Sequence, residues 1–185
     1  MRLFIAIALP EEATAVLRSL RDRLASRSGS DLRWSGEEGW HVTLQFLGQA
    51  FDQQAACVRT RLSEIHAAPV PIRIEGLGFF DRAGVFYAGM LLSPELLALQ
   101  QKVAAATRPC GFLPEDRAYH PHITLARAKG RAGSRALVPL QQALRAHKEN
   151  PVAAFTADEF LLYESFPGPE GSRYEIRARF ALTDH

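Results

Sequence analysis

The chain has 185 residues, of which 47% are hydrophobic and 23% charged, and its formal net charge is +2. These values are typical of a globular protein with a substantial core, and they exclude a disordered, collagen-like or coiled-coil chain. All but three of the 22 basic residues are arginine. Arginine suits phosphate recognition, although the abundance of arginine and alanine also fits a GC-rich genome.

Three features predict the cellular context. Cys57 and Cys110 give neither a disulfide framework nor a CxxC pair, which favours a reducing compartment. The apolar run at the amino terminus is short, and Pro10-Glu11-Glu12 follows it where a signal peptide would have small residues. No stretch approaches the roughly 20 apolar residues of a membrane-spanning helix. We therefore expect a cytoplasmic protein without membrane association.

Apolar periodicity and turn residues predict alternating strands and helices. In chain order these are a strand at 3–9, a helix at 11–26, strands at 32–34 and 41–47, a helix at 52–67, a hairpin of strands 70–80 and 84–92, a helix at 94–108, a strand at 120–126, a helix at 135–147, and strands at 152–163 and 172–182 joined by a turn at 167–171.

The order of elements indicates an internal repeat. Each half offers a helix, a strand, a helix and a pair of strands, and the strands at 41 and 122 hold matching places. The repeat predicts an α+β fold in which residues 1–185 form a single bilobal domain. Two lobes related by a pseudo-twofold axis would place antiparallel sheets along a central cleft, with helices outside.

The two matching strands carry the same type of motif, His41-Val42-Thr43-Leu44 and His122-Ile123-Thr124-Leu125. A shuffled chain of this composition would contain about 0.2 His-x-Thr tripeptides, so two copies in matching places are a specific signal. Side chains two residues apart share one face of a strand, so each strand presents an imidazole beside a hydroxyl. Simple alternation places Val42, Leu44 and Phe46, and likewise Ile123 and Leu125, in the core.

Two imidazoles facing each other across a cleft suit acid–base chemistry on a phosphodiester. Histidine titrates near neutrality, so one ring can take a proton from water while the other gives a proton to the leaving oxygen. In-line displacement at phosphorus would place the two rings on opposite sides of the phosphate. The two threonine hydroxyls could bind the remaining phosphate oxygens, and the scheme requires no metal or other cofactor.

These motifs and their flanks resemble a known family. The paired HxTx motifs are similar to those of the 2H phosphoesterase superfamily. The context narrows the resemblance to the bacterial and archaeal RNA 2′,3′-cyclic phosphodiesterases, historically named 2′-5′ RNA ligases. The likeness spans nearly the whole chain, and the segments that carry it are RLFIAIALP, RWSGEEGWHVTLQFLG, PHITLAR and LYESFPGPEGSRYEIRARFAL.

The resemblance implies a bilobal fold and hydrolysis of a terminal 2′,3′-cyclic phosphate on RNA to a 2′-phosphate. It implies His41 as the proton donor, His122 as the proton acceptor, and Thr43 and Thr124 as phosphate-binding residues. It places Arg127 at the phosphate, although alternation along the strand would bury that side chain unless a bulge or the strand end turns it. It also implies weak 2′-5′ ligation.

Further residues are candidates for substrate binding. His120 shares the face of His122, Gln45 shares the face of His41 and could reach a ribose, and Phe79 and Phe80 at the hairpin could stack on a base. A zinc site built on His120 and His122 is an alternative, but no third or fourth ligand is evident.

Other functions stay open at this point. The chain could act on small cyclic nucleotides or on 2′-5′ oligonucleotides, or it could bind RNA ends without turnover. The expected partner is RNA with a 2′,3′-cyclic phosphate terminus, or a related nucleotide. No protein partner is expected, and a monomer is the default because one chain supplies both lobes.

Overall fold

The structure is a computed structural model that describes residues 1–169 and 171–183. Glu170, inside the predicted turn at 167–171, lies outside the described residues. The elements follow the predicted order closely. They are β1 Arg2–Ala8, α1 Glu11–Ala25, β2 Leu32–Trp34, β3 His41–Gln49, α2 Asp52–Ser63, β4 Val70–Phe80, β5 Val85–Met90, α3 Pro94–Thr107, β6 His122–Ala128, α4 Val138–Ala146, β7 Val152–Ala157, β8 Glu159–Gly168 and β9 Gly171–Ala181.

Two antiparallel sheets form the α+β fold. The first has the strand order β3-β1-β8-β9, and the second has the order β2-β6-β5-β4-β7. When β2 is set aside, each sheet is a row of four antiparallel strands that begins with a strand carrying an HxT motif. This match is the predicted pseudo-twofold relation between lobes. The sheets are not contiguous halves of the chain, because β8 and β9 join the first sheet while β2 joins the second.

The helices begin and end where local chemistry favours it. Pro10 precedes α1, and Glu11 and Glu12 lie in its first turn, where acidic side chains interact favourably with the helix dipole. Ser93 caps α3, since its hydroxyl accepts a hydrogen bond from the Leu96 backbone N–H. The apolar faces of these helices complete the core, and their fully buried members are Leu17, Leu20, Leu24, Leu96, Leu99 and Val103.

The predicted strand at 152–163 is wrong in one respect, because it is two strands in different sheets. β7 pairs with β4, whereas β8 pairs with β1. The chain crosses between sheets at Asp158, whose carbonyl oxygen accepts a hydrogen bond from the Leu182 N–H. Ala157 and Phe160 are buried on either side of the crossing. The apolar pattern therefore continues on both sides of it, and Asp158 alone is a weak turn signal.

The expectation that Cys57 and Cys110 give no disulfide is also wrong. Cys57 on α2 and Cys110, in the 3₁₀ turn after α3, form a disulfide whose Cα atoms lie 5.7 Å apart. The half-cystines are 53 residues apart in the chain, and only the packing of α2 beside α3 brings them together. The cysteine content therefore does not support a reducing compartment. No helix in the described part of the chain is long and apolar enough to cross a membrane.

Candidate active site

An open cavity of about 730 Å³ lies between the two sheets. Both HxT motifs reach it, since β3 and β6 lie next to each other across the cleft. The lining contains His41 and Thr43 from the first sheet and His122 and Thr124 from the second. The lining is also strongly basic and includes Arg2, Arg33, Arg127 and Arg173. The cavity therefore combines two imidazoles, two hydroxyls and positive charge.

A β-bulge interrupts each motif strand at the same place. Leu44 in β3 and Leu125 in β6 are extra residues without a partner in the register. A bulge puts two consecutive side chains on one face, so alternation restarts after it. The residue five positions after each histidine then turns into the cavity. That residue is Phe46, 56% exposed, in the first lobe and Arg127 in the second.

Aromatic rings of the first sheet surround His41. The centroid of its imidazole lies 4.7 Å from that of Phe4, 5.4 Å from that of Tyr174 and 6.1 Å from that of Tyr163. Burial and, to a lesser extent, the charge of His122 lower the pKa of His41 to about 4. The ring is therefore neutral at pH 7 when the cavity holds no anion.

His122 has a matching aromatic surround from the second sheet. Its ring centroid lies 5.0 Å from that of Phe80 and 5.4 Å from that of Tyr87. Its Nδ1 lies 2.8 Å from the carbonyl oxygen of His120. Because a carbonyl only accepts, Nδ1 carries the hydrogen, and the lone pair of the neutral ring is on Nε2. The second imidazole is thus held in the tautomer that a general base needs.

Burial, a hydrogen bond and several charges set the pKa of His122. Burial lowers it most, and the charges of His120 and Arg127 act in the same direction. The hydrogen bond to the His120 carbonyl oxygen and the charge of Glu115 oppose these effects. The net pKa lies below 6.5, so this ring is also mainly neutral at pH 7.

Contacts outside the cavity hold the two motif strands in place. The hydroxyl of Tyr119, a half-buried residue before β6, donates a hydrogen bond of 2.9 Å to the backbone carbonyl oxygen of Thr43. This bond joins the two lobes at the motif itself. On the other side, the guanidinium of Arg18 makes two 2.7 Å hydrogen bonds to the carboxylate of Glu37, in the 3₁₀ turn before β3. Those hydrogen bonds hold the pKa of Glu37 below its ordinary value.

The described residues contain no group of three or more His, Cys, Asp or Glu side chains arranged to hold a metal ion. His120 and His122 lie near each other, with ring centroids 6.2 Å apart. Their immediate neighbours are the rings of Phe80 and Tyr87, which offer no strong metal ligand.

Comparison with known proteins identifies the family of the chain. The family model described as the 2′-5′ RNA ligase superfamily matches residues 9–165. The chain belongs to the 2′-5′ RNA ligase superfamily. It is 32% identical to an RNA 2′,3′-cyclic phosphodiesterase of Aeropyrum pernix over 88% of this chain and 94% of that one. It is 27% identical to the protein of that name from Archaeoglobus fulgidus over 95% of this chain and 97% of that one.

A solved structure shares the whole architecture of this chain. The crystal structure of E. coli LigT complexed with 3′-AMP superposes with a TM-score of 0.80 at 26% sequence identity, covering 99% of this chain and 98% of that one. The predicted bilobal 2H phosphoesterase-like fold is therefore confirmed.

The bulge in β3 explains why two predictions about this strand are wrong. Gln45, expected beside His41, is 5% exposed, and its side-chain oxygen accepts a 2.8 Å hydrogen bond from the Thr107 hydroxyl. Phe46, expected in the core, lies in the cavity instead. Arg127 reaches the cavity through a bulge, one of the two routes that the sequence allowed.

Of the two phenylalanines predicted at the hairpin, Phe79 does not face the cavity. Phe79 packs against the buried Phe86, with ring centroids 5.1 Å apart, and does not line the cavity. Its neighbour Phe80 points to the opposite face, where it stacks on Tyr87 and contacts His122. His120 is exposed, and its ring lies against Phe80 and Tyr87 at the edge of the same cluster.

Sequence reasoning missed the aromatic surround of His41. Phe4 is on β1, near the start of the chain, whereas Tyr163 and Tyr174 are on the β8–β9 hairpin near its end. Each strand reads as ordinary core by its apolar pattern. Only the strand order β3-β1-β8-β9 reveals that these rings share a face with the histidine.

Proposed function

We propose that the protein hydrolyses the 2′,3′-cyclic phosphate ends of RNA to 2′-phosphomonoesters, using two histidines and no catalytic metal. The observation that carries this proposal is the meeting of His41, Thr43, His122 and Thr124 in one basic cavity. The curated relatives named RNA 2′,3′-cyclic phosphodiesterase support the reaction class.

The acid–base roles follow from the two imidazoles. The Nε2 lone pair of His122 takes a proton from water as the water oxygen bonds to phosphorus. The bond from phosphorus to the ribose 3′ oxygen breaks, and His41 gives that oxygen a proton. The product keeps the phosphate on the 2′ oxygen. The hydroxyls of Thr43 and Thr124 bind the non-bridging oxygens, and the guanidinium of Arg127 adds positive charge at the same group.

Substrate binding raises the pKa of His41, so that the ring can take up the proton it needs. The ring is neutral in the free protein at pH 7, because its pKa is about 4. A phosphate anion beside the imidazole raises the pKa, since opposite charges favour the protonated form. The enzyme therefore takes up a proton as it binds substrate, and the imidazolium is formed next to the leaving oxygen.

The choice of RNA rests on relatives and charge together. The names of the relatives specify RNA, and the LigT complex contains the nucleotide 3′-AMP. The cavity of this chain is basic, as a nucleic-acid terminus requires. Reversible 2′-5′ ligation is a further proposed activity, because the superfamily carries that name. Small cyclic nucleotides are the second candidate substrate class.

The proposal is tested with an oligoribonucleotide that ends in a 2′,3′-cyclic phosphate, incubated with the protein and EDTA. The expected product is a 2′-phosphate. Both His41→Ala and His122→Ala should lose turnover by at least a hundredfold while remaining folded. His147→Ala is the matched control, since this histidine is exposed at the end of α4.

Other outcomes separate the alternatives. A 3′-phosphate product would reverse the roles of the two histidines. Turnover of cyclic mononucleotides alone would assign the small-nucleotide function. Binding of the RNA end without turnover of either substrate would leave a binding protein. Activity that EDTA abolishes would contradict the metal-free mechanism.

A further inference from the structure

Two arginines face each other on the wall of the cavity. Arg33 on β2 and Arg127 on β6 are directly opposite in the antiparallel register. Both are exposed, and both line the cavity that holds the two histidines. Directly opposite residues have their side chains on the same face, with Cβ atoms about 5 Å apart. Both arginine side chains therefore leave the sheet on the same face, from adjacent positions.

Like charges opposite each other in a sheet repel. Neither arginine forms an ion pair within the described residues, whereas Arg18, Arg177 and Arg179 each pair with a glutamate. Glu38 lines the same cavity without forming an ion pair to either arginine within that part of the chain. A pair of unneutralised guanidiniums on a cavity wall is a site for an anion.

Within the described residues, the strand that carries Arg33 has no counterpart in the other sheet. β2 lies outside the four-strand row that the two sheets share, at the edge beside β6. Its pairing continues past the strand, since the Ser35 N–H donates to the Leu125 carbonyl oxygen. β2 thus extends the cavity wall on the His122 side, and the extension carries positive charge.

Arg33 lies farther from the motif phosphate than Arg127 does. Arg127 is on the motif strand β6 itself, and its charge acts on His122, whereas Arg33 is on the neighbouring edge strand β2, about 5 Å farther along the wall. The guanidinium of Arg127 can therefore contact the terminal phosphate while that of Arg33 faces the next phosphate of a nucleic acid strand. The site accordingly suits a second anion in the same substrate.

We infer that Arg33 binds the phosphodiester that precedes the terminal cyclic phosphate. Arg33 is then a specificity residue that makes an oligoribonucleotide end a better substrate than a cyclic mononucleotide. This inference rests on the proposed function and adds to it the length of RNA that the site recognises.

The test compares three substrates: adenosine 2′,3′-cyclic phosphate, the dinucleotide ApA with a terminal 2′,3′-cyclic phosphate, and that dinucleotide with a neutral methylphosphonate linkage. The measured quantity is the ratio of kcat/KM for each dinucleotide to kcat/KM for the mononucleotide. In the wild type the charged dinucleotide should exceed the neutral one by about tenfold, as a charge-assisted contact provides.

Arg33→Gln should bring the ratios for the charged and neutral dinucleotides together. It should also reduce the salt dependence of kcat/KM for the charged dinucleotide by about one counterion. Arg59→Gln is the matched control, because Arg59 is exposed on α2, away from the cavity, and the variant loses the same charge. Its ratios should equal those of the wild type.

Two results would overturn the inference while leaving the proposed function intact. One is equal turnover of the charged and neutral dinucleotides by the wild type. The other is a full preference for the charged dinucleotide in Arg33→Gln, with circular dichroism showing a folded protein. Failure of the wild type to hydrolyse any of the three substrates would instead refute the proposed function, and the inference with it.

Discussion

Acid should destabilise this protein through His41. The pKa of its imidazole is about 4 in the folded state, against an ordinary 6.5 in an unfolded chain. The folded state thus binds the proton more weakly, so the stabilisation is complete above pH 6.5 and is lost as the pH falls towards 4. The full loss is about 3 kcal/mol, of which about 2 kcal/mol is gone by pH 5.

Urea unfolding of the wild type and of His41→Gln at pH 7.5 and pH 5.0 measures this loss. The free energy of unfolding of the wild type should fall by about 2 kcal/mol more than that of the variant over this interval. His147→Gln, at an exposed site, should follow the wild type. An NMR titration of the His41 ring should show a midpoint near 4. Parallel pH dependence of wild type and His41→Gln, or a ring midpoint above 6, would refute the reasoning.

Three other predictions test the supports of the site. Tyr119→Phe removes the hydrogen bond to the Thr43 carbonyl oxygen, and should lower the free energy of unfolding by about 1 kcal/mol and reduce kcat as the lobes lose their register; an unchanged urea midpoint and kcat would contradict this. Gly78→Ala places a Cβ against the ring of Tyr87, so kcat should fall by more than in the control Gly29→Ala, where the nearest atom is 3.6 Å away. Equal activity of the two alanine variants would contradict it. Replacing both half-cystines with serine removes a link across 53 residues and should lower the free energy of unfolding by up to about 4 kcal/mol. The Tm should fall, and dithiothreitol should lower the Tm of the wild type in the same way. A Tm insensitive to both changes would contradict the pairing.

Local pattern was sufficient for most of the fold and for the centre of the candidate site. The two HxT motifs could be placed on strands because branched residues alternate with polar ones around His41 and His122, and alternation determines which face a side chain occupies. Turn residues such as Asp81–Ala83 marked the hairpin, and prolines marked helix starts. These signals act within a few residues, so one sequence contains them.

The errors arise where structure depends on partners distant in the chain. A bulge is a mismatch between two strands, so nothing in β3 alone announces that Gln45 is buried and Phe46 exposed. The choice between Phe79 and Phe80 depends on register with β5. The disulfide depends on the packing of α2 beside α3, which brings residues 53 positions apart into contact.

The pseudo-twofold arrangement has a consequence for regiochemistry. An axis that exchanges the two HxT pairs also exchanges the proposed acid with the proposed base, and it would equally exchange the 2′ and 3′ oxygens of a cyclic phosphate. The motif residues alone therefore have no preference between the two products. Preference must come from positions where the lobes differ. Phe46 and Arg127 hold matching places in the two lobes, and they put an apolar ring on one side of the cavity and a cation on the other. Exchanging those two residues should reverse the orientation in which the cavity binds its substrate.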